Sequence, residues 1–310
     1  MPDALTDAAS IEIKDAIYVS ATRQLRIQTE AADILGRESI LIAGTKTKIS
    51  GEVWRLFNRV IPALRFRTAM KGSDMIRAAL TFPLSMADLV TKTIMHLPEI
   101  LRPTVISLAE DEPATAIGDI NVFLDTFKMP TIGVYLENST VQYDLRRFQK
   151  NTLIVDADLG DISDDVVRDF LIHMAAPRPF FGFACTQEEL EYRNRITVKF
   201  GINIMESWVG RDTRRYIPGL YWWTLLPASL AEQHGIPLSI LVRAAQEHIE
   251  LEGQQHLLRF YESPEDWRSA AVMGELYHSC PGIFDVEKLR PKLQGMTNFL
   301  EINAILHDWT

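Results

Sequence analysis

The run "LIVDADLGDISDD", residues 153–165, ends an apolar stretch in two carboxylates one residue apart, Asp156 and Asp158, with Asp161, Asp164 and Asp165 close behind. On a strand, side chains at i and i+2 point the same way. Two hard oxygen donors at a strand end can converge on Mg²⁺ or Ca²⁺, with Asp161 as a third ligand. The chemistry implied is metal-assisted attack on a phosphorylated or nucleotide-like substrate. The same residues also have a structural use. Asp161 or Ser163 can cap the helix predicted for "ISDDVVRDFLIHMAA", and Asp164 and Asp165 complement the positive end of its dipole. The spacing is not that of an EF-hand loop, because Gly160 falls one position early and Val167 stands at position twelve.

Other chemistry-bearing patterns are thinner. "GTKTKIS", 44–50, lies between an expected strand and an expected helix, the setting of a phosphate loop. Lys46 and Lys48, with Arg55 and Arg59 on the following segment, could hold an anion there. A Walker A loop needs two glycines around four residues and then Lys-Ser/Thr, and Gly44 stands alone. His248, Glu252 and His256 are four apart and would share one face of a helix, a metal-stripe pattern. Gly253 interrupts that helix, so the segment reads as a solvated polar face. The remaining histidines have no local triad partner, and no serine sits in a Gly-x-Ser-x-Gly elbow. Cys185 could act as a nucleophile only beside a distant histidine; Cys185 and Cys280 read as two reduced, buried thiols. No cofactor motif is present, and none is expected.

The aromatic run in "RRYIPGLYWWTLLPASLAEQHG", 214–235, is the strongest candidate contact region: Tyr216, Tyr221, Trp222 and Trp223. Such side chains dominate cores and binding hot spots alike. If the run is a strand, Tyr221 and Trp223 face one way and Trp222 the other. One face can then join the core while the other meets a partner.

These residues need elements to hold them. The chain has 310 residues, a formal net charge of −9 and an ordinary globular balance of 47% hydrophobic and 24% charged residues. The pattern predicts helices over 11–35, 51–67 (kinked at Pro62), 73–80, 85–97, 117–127, 163–176, 188–200, 236–246 and 286–293. Strands are predicted over 39–44, 104–110, 131–138, 151–158, 179–186 and 256–263. Strands and helices mix without strict βαβ alternation, so the expected class is α+β: a mixed sheet flanked by helices, with a helix-rich N-terminal third. A soft boundary near residue 100 divides 1–100 from 101–310.

Charge narrows the function. From Lys46 to Arg77 eight basic residues meet two acidic ones, a window of +6, which leaves −15 on the remainder. An acidic remainder argues against general nucleic-acid binding and suits a basic protein partner. No stretch is long and apolar enough to span a membrane, and the N-terminus lacks a signal-like core, so a soluble, cytoplasmic protein is expected.

The order of features from about 163 to 293 adds a resemblance: "DDVVRDFLIHMA", "PFFGFAC", "EELEYRNR", "VKFGINI", "IPGLYWWTLLPASLAEQHG", "HLLRFYESPEDW" and "PGIFDVEKLRPKL" in succession. It resembles a family of bacterial immunity proteins linked to type VI secretion and other polymorphic toxins. Gly219, Trp222, Trp223, Thr224 and Leu226 stand in the positions of its Gly-x-x-Trp-Leu-Thr/Asn-x-Leu/Phe segment, with Trp223 where leucine is usual. The resemblance implies an α+β protein that neutralises a cognate toxin by binding it and has no chemistry of its own. Two alternatives remain open: the metal-dependent enzyme built on Asp156 and Asp158, and an oligomer subunit using the Trp54 helix and the Trp222 segment as contacts between copies.

Overall fold

The computed structural model describes residues 4–5, 9–14, 18–19, 23–44, 48–50, 53–63, 75–107, 115–117, 133–148, 151–160, 162–200, 203–269 and 271–309. The chain divides into two compact units, one of residues 1–72 with 107–115, the other of 73–106 with 116–310. The boundary expected near residue 100 lies inside the second unit. The change of texture there follows the end of one helix at Met95, three residues before Pro98, and is not the end of a unit.

The first unit carries a four-stranded sheet of order β1-β2-β4-β6, from β1 (Ala4–Leu5), β2 (Ala9–Lys14), β4 (Glu38–Gly44) and β6 (Arg59–Ala63). β2, β4 and β6 run parallel, β1 antiparallel. The return between parallel strands needs a crossover, and α1 (Arg23–Ile34) and α2 (Val53–Leu56) supply the two. Leu25, Leu41, Val53 and Phe57 form its core. A short parallel pair, β3 (Tyr18–Val19) with β5 (Lys48–Ile49), completes it.

Two expectations change here. The helix predicted over 11–35 begins only at Arg23, because the β-branched alternation of "SIEIK" joins the sheet. The helix predicted over 51–67 is one turn long and gives way to a strand that contains Pro62. Proline donates no ladder hydrogen bond and is tolerated on a sheet edge, which is where β6 lies.

The second unit is built on a ten-stranded sheet, order β17-β18-β16-β13-β7-β12-β11-β10-β8-β9. Its strands are β7 (Ile76–Pro83), β8 (Val105–Ser107), β9 (Thr115–Ala116), β10 (Val134–Glu137), β11 (Gln142–Phe148), β12 (Thr152–Gly160), β13 (Phe181–Thr186), β16 (Trp223–Pro227), β17 (Glu247–Leu251) and β18 (Gln255–Arg259). From β17 to β10 every pairing is antiparallel. Segment 73–80, expected to be helical, is instead part of the central strand β7. Its alanines and leucine suit a helix, but burial on both faces decides in favour of the sheet.

One face of the sheet is covered by α3 (Ala87–Met95) and α4 (Asp164–Ala175). In α4, Val167, Phe170, Leu171 and Met174 recur at helical spacing and are fully buried. Each such side chain contributes roughly 1.5–3 kcal/mol relative to exposure. Phe170 meets Tyr143 of β11, ring centroids 6.1 Å apart. The predicted helix over 188–200 stops at Asn194, since α5 spans Gln187–Asn194 and "RITVKF" becomes β14 (Arg195–Phe200). β14 pairs with β15 (Asn203–Trp208) as a separate ribbon.

After β16 come α6 (Ala228–Gln233) and α7 (Leu238–Ala244). The chain ends in α8 (Ala271–Ser279), α9 (Val286–Leu293) and α10 (Phe299–His307). A second core of Ile196, Val198, Val209, Phe284, Leu289 and Ile302 joins ribbon to C-terminal helices. The α+β class is therefore what the chain adopts, but among the described residues of its front third strand and helix occur in similar amounts, which does not support a helix-rich third. The helix expected over 117–127 lies outside the described residues except Ile117. Among the described residues no helix is long and apolar enough to cross a membrane.

Candidate functional site

Asp156 and Asp158 are both on β12 and face the same side of the sheet, 9% and 5% exposed. Register fixes their neighbours: Asp144 and Ala79 flank Asp156, and Gln142 and Arg77 flank Asp158. Asp144 directly opposite Asp156 is a like-charge pair, which alone would be destabilising. Arg146 resolves it. Its guanidinium bonds to Asp156 and sits 2.9 Å from Asp144. Burial alone would lower the Arg146 pKa, but Asp156 and Asp144 raise it above the ordinary arginine value. Arg211 approaches the other oxygen of Asp156 at 3.6 Å, and Arg77 approaches Asp158 at 3.8 Å. Asp158 also accepts the Gly160 N–H at 3.0 Å. Arginines thus supply the positive charge that a metal would bring, and the carboxylates form an ion-pair lattice inside the sheet layer. Asp161 lies outside the described residues. Among the described residues, no group of three His, Cys, Asp or Glu is placed to hold a metal ion.

Asp164 has a different partner set from the one helix capping requires. It accepts Trp223 Nε1 at 2.7 Å and Arg259 Nη1 at 2.7 Å, tying α4 to β16 and β18. Ser163 holds the N-cap position with extended backbone but makes no side-chain cap bond.

Of the phosphate set, Lys46 lies outside the described residues. Lys48 on β5 and Arg59 on β6 are described in backbone alone, and Arg55 is exposed on α2. Cys185 is fully buried, and burial pushes its thiol well above the ordinary value, the wrong direction for a nucleophile.

The aromatic run is inside the molecule. Tyr221, Trp222 and Trp223 are at most 2% exposed, so they do not offer the contact surface expected of them. The alternation expected of a strand also fails at Tyr221, because the strand begins only at Trp223. The Thr224 hydroxyl accepts the Tyr221 N–H at 2.9 Å and turns the chain just before it. Tyr221 consequently stacks on Phe183, centroids 3.9 Å apart, on the face opposite Trp223. Tyr216 is half-buried beside Phe284 and Trp309, and burial pushes its phenol up to about 12.

A polar cluster that sequence reasoning missed lies against this run. Glu189 is fully buried on α5, and Arg193 one turn later donates to it at 2.7 Å. Tyr261 donates to its other oxygen. Arg193 also donates to the Tyr277 hydroxyl at 3.0 Å, which accepts the Leu220 N–H at 2.9 Å. The guanidinium lies 5.4 Å from the Tyr277 ring centroid and 5.9 Å from that of Tyr221. Burial pushes the Glu189 carboxyl up, and Arg193 and Tyr261 oppose that shift. The i, i+4 spacing was visible in "EELEYRN"; what was not visible is that this pair faces inward.

Two cavities of about 660 Å³ open in this unit. One is lined by Thr81, Phe180, Arg211, Asp212, Arg214 and Gln233, with Arg211 linking it to Asp156. The other is lined by Tyr192, Arg193, Trp267, Tyr277 and Lys288, backing on the Glu189 cluster. Comparison of the chain with family models, with curated proteins and with solved structures found no match.

Proposed function

We propose that this chain is a non-catalytic binding protein of the immunity type, which neutralises a basic toxin by direct contact with its second unit. The observation that carries the reading is where the charge resides. The first unit has 11 basic and 11 acidic residues; the second has 21 basic and 30 acidic, so the whole excess of −9 belongs to it. An acidic exterior steers a basic partner and rejects acidic ones. The buried carboxylates do not compete for this role, since Asp156, Asp158 and Glu189 already face arginines.

With Tyr221, Trp222 and Trp223 inside, the apolar anchors fall to exposed side chains. The outer face of β15 presents Ile204, 64% exposed, and Trp208, 36% exposed, on either side of Glu206. An aromatic and an aliphatic anchor suit the apolar centre of a contact; Glu206 between them already accepts from Arg195 at 2.7 Å, so attraction to a basic partner comes from the net charge of the unit.

The test is co-expression with the product of the adjacent gene. The neighbour alone should arrest growth, this chain should restore it, and the two should co-purify with an association rate that falls as salt rises. An Ile204→Asp, Trp208→Ala protein should fold and lose the rescue. A harmless neighbour, or rescue unchanged by that double substitution and by salt, sinks the proposal.

A further inference from the structure

His248 and His256 do not lie on a helix. They stand on adjacent antiparallel strands, β17 and β18, and the segment that broke the helical reading makes the hairpin between them. Gly253 and Gln254 both adopt positive φ, 73° and 60°, and turn the chain back. The register pairs Glu250 with His256 and His248 with Leu258. The two histidines are therefore diagonal neighbours on one face, with Glu250 on that same face between them in sequence. His248 Nε2 lies 3.0 Å from His256 Nδ1, with the rings nearly parallel at 24°.

We propose that His248 Nε2 and His256 Nδ1 are two ligands of a divalent transition-metal site, of which Zn²⁺ is the representative; the Glu250 carboxylate is not placed as a ligand in this structure and becomes the third only when its side chain rotates. Zn–N bonds of about 2.0–2.1 Å place two nitrogens on one ion about 2.9–3.4 Å apart, between right-angle and tetrahedral geometry. The observed 3.0 Å lies in that range without any movement of the strands. Imidazole nitrogens select Zn, Cu and Ni over Mg and Ca. Access is open, because β17 is the outermost strand and His248 and Glu250 are exposed. The Glu250 side chain has only to swing across the ladder pair it already forms, since opposed Cβ atoms lie roughly 4.5–5.5 Å apart.

One of the facing nitrogens carries a proton in the ion-free pair. On metal binding that proton moves to the outer nitrogen of the same ring, leaving both inner lone pairs to the ion. The occupied site would staple the edge strand to its neighbour and blunt an open sheet edge. This inference does not depend on the immunity reading.

The experiment is a calorimetric titration of chelator-treated full-length protein with Zn²⁺, alongside its thermal midpoint with and without the ion. One equivalent should bind, and the midpoint should rise with Zn²⁺ concentration. His248→Ala and His256→Gln should each weaken binding by at least about tenfold, and Glu250→Gln should weaken it less. His248 is exposed, so His248→Ala keeps the test valid even if His256→Gln folds poorly. Absence of saturable binding, or binding unchanged in His248→Ala, overturns the site.

Discussion

Asp156 and His248 occupy the same ladder row of one sheet. The row runs His248, Leu258, Thr224, Phe183, Ala79, Asp156 across six strands, so both side chains point to the same face. At a strand spacing of about 4.8 Å they are about 24 Å apart. The residues around them differ in one decisive respect. Asp156 sits among arginines from β11 and from the loop after β15, each a permanent cation. His248 faces another histidine, a group that offers a lone pair and no compensating charge. Paired i and i+2 carboxylates on a strand look like metal chemistry in a sequence, yet counter-charges close that chemistry from within. A histidine pair across a hairpin turn looks like one stripe of a helix in a sequence, yet the fold sets two ring nitrogens 3.0 Å apart, joined by a proton and not by a permanent cation.

The closed end of the comparison should show in stability, most strongly at Glu189. Glu189→Ala leaves Arg193 buried and without its carboxylate, and breaking a buried ion pair costs about 3–5 kcal/mol. Denaturant unfolding should report a loss of that size. Substituting both partners, Glu189→Gln with Arg193→Met, should recover much of it. Equal damage in the double variant would mean that packing, not the pair, holds the cluster. Asp156→Asn should cost less, about 1 kcal/mol, because the Arg146 side chain is 49% exposed and water screens the pair. It should also leave any Zn²⁺ binding untouched; a weakened isotherm there would merge the two sites that the sheet keeps apart.

Much of the second unit was legible because its patterns are uniform. The β-branched run at 151–158 gave a strand, Ser163 with Asp164 and Asp165 marked the start of α4, and Val286–Leu293 was read at its true bounds. Central strand β7 was misread, since "IRAAL" has helical composition and its burial on two sides is a property of the sheet. The site was less legible than the fold. Arg77, Arg146 and Arg211 reach Asp156 and Asp158 from separations that strand register sets, and register is not written locally in any segment. For His248 and His256 the spacing of eight was noticed, but as two turns of helix. Alternating "EHIEL" carries the period of a strand, and the glycine counted against the helix is the turn of a hairpin.

The smallest expected effect lies at the open end and turns on pH. Burial first, and then the charge on His248, hold His256 below the ordinary histidine value of 6.5, while Glu250 pulls the other way. A group whose folded pKa is lowered binds fewer protons in the folded state than in the unfolded one. Folding stability then falls as pH drops from 6.5 towards the lowered value, and is flat with respect to this group above 6.5. His256→Gln removes the titration, so its stability relative to the parent should improve between pH 7 and pH 5 in metal-free buffer. Metal sharpens the contrast. Protons and Zn²⁺ compete for the same lone pairs, so Zn²⁺ at a concentration that just saturates the parent should steepen the parent's loss of stability over that interval and change His256→Gln much less. A parent whose pH profile matches the variant's, with and without Zn²⁺, would mean that the two rings share neither a proton nor an ion.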